Sequence, residues 1–343
     1  MAKSSQTGVH GKKKSGTKPV LVVIFVVLLL LIILFVAASA IMHHYLNKIN
    51  KTNNDEIEVV APTDADDEAD ETVDTDLFPE VDESDVTWAD AEELQDDERI
   101  NILLVGQDSR TGARERSDSM ILVSINPDTG EASMISFMRD LYVQMPEGYQ
   151  DNRMNAAYAF GGFPYLYEVL EKNFGITCDG GFEVNFDGFT SVVDTLGGVD
   201  IELTAAEAEY IGGGLTAGVN HLNGTQALTY SRIRYIDSDF YRTGRQRTVL
   251  TALFNKVKGS DLNTLLDLAN TLLPMMTTDM SNTEIISLVM KLAPLMSGME
   301  VGSYRIPADD TYTNATIRGM MVLVPDLAKN QLYLQETCLP YSD

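Results

Sequence analysis

The chain has 343 residues, with 51 acidic and 25 basic side chains and a formal net charge of −26. This length is enough for one large domain or two modest ones. Because a nucleic-acid-binding domain is normally basic overall, the composition argues against a transcription factor and predicts no nucleic acid partner.

The N-terminal region has the pattern of a membrane anchor. Residues 1–19 carry five lysines and no acidic residue, and residues 20–42 are uncharged and mostly aliphatic, long enough for a transmembrane helix. The positive-inside rule makes residues 1–19 a cytoplasmic tail and predicts a single-pass protein of the cell membrane with an extracellular domain. A cleaved signal peptide ending near Ala40 is the alternative, but the apolar stretch is longer than a typical signal core.

An acidic segment follows the predicted anchor. From Asp55 to Glu98 there are 21 acidic residues and no basic one, so we expect residues 43–98 to be a disordered linker that self-repulsion extends. Val86 and Trp88 leave open that the end of this segment packs on the domain formed by residues 99–343.

Residues 99–343 intermix patterns of strands and helices. Strands are predicted at residues 100–105, 120–125, 132–137, 182–186 and 199–203 and near 304–306. Helices are predicted at 154–174 (broken by Gly161, Gly162 and Pro164), around Phe189 to Leu196, at 223–230, 241–258, 262–273 and 283–296, and after Pro325. This order predicts a single α/β domain with helices on both faces of the sheet.

Ten of the eighteen basic residues after position 98 lie in two clusters, and all ten are arginine. The clusters are Arg110, Arg114, Arg116, Arg139 and Arg153, and Arg232, Arg234, Arg242, Arg245 and Arg247. The region from Arg99 onward still has a net charge of −12, so a basic composition does not explain them. Arginine matches phosphate geometry through paired N–H donors. The clusters therefore predict an anion site, with a solvated basic face as the alternative.

The second cluster lies at a helix start. The predicted helix begins near Ser238, Asp239 or Thr243, which puts Arg242 and Arg245 near the first turn, where the helix dipole disfavours cations. Arg242 and Gln246 also extend an apolar stripe, so both should face inward. Inward arginines and exposed N–H groups at a helix start suit a phosphate or pyrophosphate.

Three aspartates lie at predicted strand ends. Asp108 follows the first strand, Asp118 precedes the second, and Asp140 follows the third. If these ends meet, Asp108 and Asp118 can share a magnesium ion, which takes one or two carboxylates together with substrate phosphates. The alternative for each aspartate is a turn cap or a pair with a nearby arginine.

Histidine and cysteine are scarce in the predicted domain. His221 is its one histidine, which disfavours a Ser-His-Asp triad, a Cys-His pair or a histidine-rich zinc site. Cys178 and Cys338 could form a disulfide outside the cytoplasm or remain buried thiols.

Several ordered motifs resemble the LytR-CpsA-Psr family. The motifs are Asn101 to Arg110, Arg116-Ser117-Asp118-Ser119-Met120, Arg139-Asp140, Asn155 to Gly162, Val184 to Phe189, Asp194 to Val199, His221 to Leu228 and the second arginine cluster. They cover roughly residues 100–258. The resemblance implies a single domain of this family around a central mixed β-sheet with helices on both faces.

The resemblance also implies a phosphotransferase. Such an enzyme moves an anionic glycopolymer, of the wall teichoic acid or capsule type, from an undecaprenyl-pyrophosphate carrier to a muramic acid hydroxyl of peptidoglycan. Asp108 and Asp118 would hold Mg²⁺, with Mn²⁺ as a substitute, and either could accept the proton of the attacking hydroxyl.

The implied pyrophosphate ligands are mostly arginines. Arg139, Arg232, Arg234 and Arg242 would bind the pyrophosphate, Arg245 and Gln246 would support them, and Arg110 and Arg116 would make outer or phosphate contacts. Arg139 would act in catalysis with the two aspartates. A deep apolar pocket would hold the polyprenyl chain, and Leu265 to Met276 could line it, although core packing suits that stretch as well.

Two other functions use the same residues. A polyprenyl-pyrophosphate phosphatase or pyrophosphatase would use water as the acceptor, and the released product would distinguish it. A non-catalytic regulatory module, in keeping with the family's older name of transcriptional attenuator, would not need the intact charged constellation.

Overall fold

The structure is a computed structural model that describes residues 41–60, 78–91, 94, 99–107, 116–146, 148–234, 236–296 and 298–339. It divides into two compact units, residues 1–46 and 47–343. In the first unit the described residues 41–46 are helical. No helix within the described residues is long and apolar enough to cross a membrane. The transmembrane helix predicted at residues 20–42 lies almost wholly outside those residues.

A central sheet of seven strands organises the second unit, in the order β1-β10-β7-β2-β3-β4-β11. The strands of the described residues are β1 Asn50–Lys51, β2 Ile100–Gln107, β3 Ser119–Ile125, β4 Glu131–Phe137, β5 Tyr142–Val143, β6 Asn152–Arg153, β7 Gly180–Asn185, β8 Val199–Leu203, β9 Gly218–Leu222, β10 Met276–Thr278, β11 Glu300–Ile306, β12 Tyr312–Ile317 and β13 Met320–Pro325. The β2–β3, β3–β4 and β7–β10 pairs are antiparallel, whereas β7 runs parallel to β2 and β11 runs parallel to β4, so the sheet is mixed, as expected.

Helices cover both faces of this sheet. Those of the second unit are α1 Met154–Phe174, α2 Phe186–Thr195, α3 Ala205–Ile211, α4 Gly224–Ser231, α5 Asp239–Lys258, α6 Leu262–Leu272, α7 Asn282–Leu292 and α8 Leu327–Tyr333. On one face, Phe137 of β4 packs on Phe174 of α1, with ring centroids 5.2 Å apart. On the other face, Phe254 of α5 packs against Ile125 and Ala132. Alternating side chains along each strand supply both cores, and the predicted arrangement is confirmed.

The strand register determines where the predicted site residues lie. Gly106 is opposite Ser119 in the β2–β3 pair, and Met120 is opposite Phe137 in the β3–β4 pair. The C-terminal ends of β2 and β4 and the N-terminal end of β3 therefore lie at the same end of the sheet. We call this the sheet end, and Asp118 and Arg139 lie beside it.

The sequence located most elements to within a few residues and missed several short ones. Gly161 and Gly162 have non-helical backbone angles, and Gly162 has a positive φ of 63°, so α1 is kinked as predicted. The hairpin β12–β13 and the short strands β9 and β10 were not predicted. Helix α3 was also missed, although a capping box of Thr204 and Glu207 marks its start.

The predicted disordered linker is wrong for its first described part, residues 47–60. Strand β1 pairs with β10 in parallel, and Thr52 N–H donates to Thr278 O at 3.0 Å. Farther along, Val60 N–H donates to Phe160 O at 2.9 Å. Backbone pairing orders this stretch without requiring an apolar pattern, so its composition gave no sign of it.

The linker prediction is also wrong for residues 78–91, where the alternative packing holds. Trp88 stacks on Tyr142 with ring centroids 5.8 Å apart, and its Nε1 donates to Asp151 at 3.1 Å. Val81 N–H donates to Thr316 O at 2.9 Å. A few apolar and aromatic side chains outweigh the acidic composition because each buries a large area. Residues 61–77 lie outside the described part of the chain.

Both cysteines are free thiols. Cys338 is buried and Cys178 is half-buried. Burial raises the pKa of the Cys338 thiol to about 12, which makes it unreactive.

Candidate active site at the sheet end

Backbone hydrogen bonds hold the sheet end together. Asp118 N–H donates to Gly106 O at 3.0 Å and so lies beside the end of β2. Asn155, at the start of α1, accepts from Ser117 N–H at 3.2 Å and donates to Arg139 O at 3.1 Å. One residue of α1 thus joins the segments that carry Asp118 and Arg139, which limits their relative movement.

Three arginines from different segments meet at Asp118. Arg234 Nη2 donates to Asp118 Oδ1 at 3.1 Å, and Arg139 Nη1 lies 3.6 Å from the same oxygen. Arg242 Nη1 donates to the backbone oxygen of Asp118 at 2.8 Å. The two arginine clusters of the sequence therefore form one group in space, and we call these three arginines with Asp118 and Asp239 the sheet-end cluster.

Asp239 explains how an arginine can be buried at a helix start. Arg242 is 2% exposed, and its Nε and Nη2 donate to the carboxylate of Asp239 at 2.5 and 2.8 Å. Asp239 is the first residue of α5, where the helix dipole favours an anion. Burial opposes its ionisation, but the hydrogen bonds and charge of Arg242 lower the pKa of Asp239 overall. The sequence offered Asp239 as a cap, and its role as the partner of Arg242 was missed.

Arginines outnumber aspartates among the described residues at the sheet end. Asp140 contacts Arg139 at 3.2 Å and Arg153 at 3.7 Å. Four arginines thus face three aspartates among the described residues. Burial and repulsion from Arg139 and Arg242 lower the pKa of Arg234, as expected for crowded positive charges. The excess charge and the half-exposed side chains of Arg139 and Arg234 suit an incoming anion.

The structure brings other predicted residues to the same place. Gln246 accepts a hydrogen bond from Ser119 Oγ at 3.1 Å, so it faces the sheet end as predicted. Arg116 is half-buried two residues before Asp118. Asp108 and Arg110 belong to residues 108–115, outside the described part, but Asp108 directly follows Gln107, the last residue of β2.

Arg232 lies apart from Asp118 and faces a cavity. Its guanidinium carbon is 4.4 Å from the ring centroid of Phe186, a cation–π contact. Both side chains line a cavity of about 1000 Å³ that also includes Gln107 and therefore reaches the sheet end. The remaining lining residues are Asn50, Thr52, Ile57, Tyr158, Gly162, Phe163, Glu183, Asn185, Asp187, Leu228, Pro274, Met275 and Thr277.

The cavity has a mixed apolar and polar lining. Phe163, Leu228 and Met275 provide apolar surface, while Glu183 accepts hydrogen bonds from Gln107 Nε2 and, at 2.7 Å, from Tyr158 Oη. Of the stretch 265–276 predicted to line an apolar pocket, only Pro274 and Met275 are among the lining residues. Leu268 and Leu272 pack in a core instead, which was the alternative.

The structure does not bring Arg245 into contact with the sheet-end cluster, and its supporting role stays a prediction. It is 4% exposed, and its Nη1 and Nη2 each donate to a different oxygen of Asp237 at 2.7 Å. Nη1 also donates to Glu207 at 3.3 Å. Arg245 and Gln246 are adjacent on a helix and point about 100° apart, so only Gln246 faces the sheet end.

The residues present fit a hard divalent cation in part. The contacts of the Asp118 carboxylate to described residues are both to Oδ1, so Oδ2 can serve as an oxygen ligand. Oxygen ligands suit Mg²⁺ or Mn²⁺. No group of three or more acidic, histidine or cysteine side chains that could hold a metal occurs among the described residues, which exclude Asp108. A substrate phosphate would have to complete such a site.

A family profile matches most of the chain. The profile of the LytR_cpsA_psr family covers residues 49–335. This chain belongs to the LytR-CpsA-Psr family. The match includes β1 and thus agrees with a domain that begins before residue 99.

Curated relatives share part of this region. One is the polyisoprenyl-teichoic acid–peptidoglycan teichoic acid transferase TagU of Bacillus licheniformis, 36% identical over 168 residues, or 48% of this chain and 55% of that protein. The TagU of Bacillus subtilis is 36% identical over 159 residues, 46% of this chain and 52% of that protein. The chain spans about half the length of the curated relatives it matches.

Solved structures share the fold. TagT bound to LI-WTA has a TM-score of 0.58 and 26% identity, covering 71% of this chain and 91% of that chain. Bacillus subtilis TagV has a TM-score of 0.56 and 27% identity, covering 73% of this chain and 100% of that chain. The mixed α/β fold expected from the sequence is the fold of these proteins.

Proposed function

We propose that this protein transfers an anionic glycopolymer, of the teichoic acid or capsule type, from a polyprenyl-pyrophosphate carrier to a muramic acid hydroxyl of peptidoglycan. The observation that carries the proposal is the sheet-end cluster. Arg139 and Arg234 contact the Asp118 carboxylate, Arg242 donates to the Asp118 backbone oxygen and to Asp239, and the described charges of this cluster leave a net positive site. The names of the TagU relatives, polyisoprenyl-teichoic acid–peptidoglycan teichoic acid transferases, support the same class of substrate.

Positioning and charge neutralisation are the main needs of phosphoryl transfer. In the proposed reaction, the acceptor oxygen forms a bond to the phosphorus next to the glycopolymer. The bridging P–O bond breaks, and polyprenyl monophosphate leaves with the bonding electrons. Arg139 and Arg234 are half-buried and bind the phosphate oxygens, while Arg242 holds the backbone of Asp118 in place.

An aspartate at the sheet end takes up the proton of the acceptor hydroxyl. Asp118 is the described candidate, and Asp108 is the other. A Mg²⁺ or Mn²⁺ ion held by both carboxylates would neutralise charge on the phosphates. Gln246, fixed by Ser119, and Arg116 would support the phosphate contacts.

The carrier lipid would extend from the sheet end into the cavity of about 1000 Å³. Arg232 would bind the pyrophosphate at the cavity side, where Phe186 holds its guanidinium. Phe163, Leu228 and Met275 would contact the first isoprene units. The N-terminal anchor predicted at residues 20–42 would keep the domain at the outer surface of the cell membrane, near this lipid.

The proposal is tested by supplying lipid-linked glycopolymer and peptidoglycan to the detergent-solubilised full-length protein and separating the products. Polymer bound to peptidoglycan together with polyprenyl monophosphate is the expected result. Free polymer phosphate without peptidoglycan-linked polymer would show a hydrolase instead. Binding of the lipid without any product would indicate a non-catalytic regulatory protein.

A further inference from the structure

A second pocket lies on the other side of α5, away from Asp118. Its volume is about 660 Å³ and its lining comes from β8, α5 and β11. The lining residues are Asp200, Ile201, Glu202, Arg247, Thr248, Thr251, Ala252, Asn255, Lys256, Val301 and Ser303. The size is within the usual range of ligand sites, about 300–1000 Å³. We call it the β11 pocket.

Arg247 is a deeply buried cation in this pocket. It is 8% exposed, and its Nε and Nη1 donate to the hydroxyls of Ser303 and Ser136 at 2.7 and 2.6 Å. Within the described residues no carboxylate forms an ion pair with it. Burial and the charge of Arg305 lower the pKa of Arg247 to about 10. A buried guanidinium with only hydroxyl partners is costly unless an anion reaches it.

The charges at the pocket rim are largely compensated already. Asp200 accepts from His221 Nδ1 at 2.7 Å, and Lys256 also stabilises its charge. Glu202 is an exposed carboxylate. The rim thus provides one carboxylate for an ammonium group, and the interior provides one cation for a carboxylate.

Strand β11 is an edge strand of the central sheet. It pairs with β4 on one side, and no described strand pairs with it on the other. Val301 and Ser303, two residues apart on β11, both line the pocket. An extended peptide can add to such an edge through its backbone and place alternate side chains in the pocket below. Thr248, Thr251 and Asn255 form a polar stripe of α5 on the opposite wall.

We propose that the β11 pocket binds the peptide stem of the peptidoglycan acceptor, with a stem carboxylate on Arg247 and a stem ammonium at Glu202. This inference rests on the proposed function, because it assigns the acceptor side of that reaction. Ser136 lies three residues before Arg139 on the same segment. With the stem along β11, the attached disaccharide would extend along β4 toward the sheet end.

The test uses full-length protein in detergent and a soluble disaccharide tetrapeptide as the probe. The same disaccharide without peptide and inorganic phosphate are the comparison ligands. Arg247→Met removes the buried cation and Lys258→Met is the matched control, because Lys258 is an exposed cation of α5 outside the pocket. We expect Arg247→Met to raise the Kd for the probe at least tenfold and to raise the KM for acceptor with little change in kcat. Lys258→Met should change neither.

Folding of the variant is checked by its melting temperature without ligand. Arg247→Met should melt at the same or a higher temperature, since a costly buried charge is removed. Should it melt lower, Glu202→Gln gives the same test at the exposed rim, with an expected weakening specific to probes that carry a free amine.

The outcomes separate the two proposals. Equal binding of the disaccharides with and without peptide, an unchanged Kd in Arg247→Met, or competition by inorganic phosphate as strong as by the peptide would overturn the stem site. If wild-type protein binds the probe through Arg247 but transfers no polymer, the stem site is supported and the proposed function is overturned. Transfer without stem binding would leave the proposed function intact and remove this inference.

Discussion

Arg242 and Arg245 lie within one turn of the same helix, yet their surroundings differ in charge balance. Arg242 belongs to the sheet-end cluster, and among the described residues at this end of the sheet four arginines face three aspartates. Arg245 is enclosed by Asp237 and Glu207 and also donates to Ile233 O at 2.7 Å. A buried guanidinium paired with two carboxylates stabilises the fold. A group of guanidinium groups that outnumbers its carboxylates can bind an anionic ligand. The five arginines of the second cluster are close in sequence but therefore have different roles.

Among the predicted changes in stability, the largest is expected from Arg245→Met. It leaves Asp237 and Glu207 without their shared cation, and breaking a buried pair typically costs about 3–5 kcal/mol. Although burial opposes the charge of Arg245, the hydrogen bonds and charge of Asp237 raise its pKa overall. The free energy of unfolding, measured by urea denaturation, should fall by that amount. A loss below about 1 kcal/mol would mean that the ion pair contributes little.

At the sheet end we expect the reverse, a loss of activity without a loss of stability. Arg139→Ala and Arg234→Ala each remove one phosphate contact, which costs roughly 2–5 kcal/mol where the partner charge is left unpaired. Transfer should then fall roughly thirty-fold to several thousand-fold. The melting temperature should stay the same or rise, because burial and repulsion from Arg139 and Arg242 lower the pKa of Arg234 in the intact cluster. Lys258→Ala is the control, and wild-type transfer rates in both arginine variants would reject the phosphate assignment.

Arg232→Ala and Arg242→Ala should also abolish transfer, but with different effects on the fold. Arg242→Ala leaves the carboxylate of Asp239 without the guanidinium that donates to it twice, so the protein should also melt at a lower temperature. Arg232→Ala should leave the melting temperature nearly unchanged, because the side chain faces the cavity. Equal destabilisation by both substitutions would contradict the difference in burial.

The metal proposal predicts a smaller and more specific effect. Asp118→Asn keeps an oxygen for Arg234 but removes a charge and a proton acceptor. The activation free energy of transfer should therefore rise by about 1.5–3 kcal/mol, which lowers the rate roughly 10- to 150-fold. A chelator should abolish wild-type transfer, and Mg²⁺ or Mn²⁺ should restore it better than Zn²⁺. Lipid pyrophosphate should still bind in part through the arginines. Full transfer in excess chelator would leave the arginines as the only electrophilic groups.

Asp140 provides a test of pH dependence. Burial raises its pKa despite the opposing charges of Arg139 and Arg153. Because the folded state then binds the proton more tightly than the unfolded state, Asp140 lowers stability as pH rises through its unfolded pKa, about 3.9, toward the folded value. Asp140→Asn should therefore melt higher than wild type at neutral pH and lose that advantage at low pH. A constant difference across this range would show that Asp140 does not titrate.

The smallest effect is expected in the acidic segment outside the described residues. Replacing residues 63–76 with a neutral flexible linker of equal length should leave both stability and transfer unchanged, because their composition cannot form a core. Removing residues 78–91 should lower the melting temperature, since Trp88 would no longer cover Tyr142. A large loss of transfer in the first variant would show that the linker takes part in the site.

The sequence by itself determined the core strands, the major helices and the family. Apolar patterns indicated β2, β3, β4 and α5. The positions of Asp108 and Arg139 just after predicted strands, and of Asp118 just before one, indicated where charged residues would collect. These features depend on residues that are neighbours in the sequence, because the apolar period of an element and the residues that flank it lie in one short stretch of chain. Gln246 could be assigned to the sheet end for the same reason, since it shares a helical stripe with Arg242.

Only the tertiary structure determined which side chains contact each buried arginine. Arg245 faces Asp237 and Glu207 because α3 and the segment before α5 come together there, and Arg247 faces two serines because β4 and β11 are neighbours. The pairing of β1 with β10 joins residues more than 200 positions apart, so no local pattern around Asn50 and Lys51 could indicate it. The energy of a buried charge depends on the partners within a few ångströms, and the fold brings those partners from distant parts of the chain.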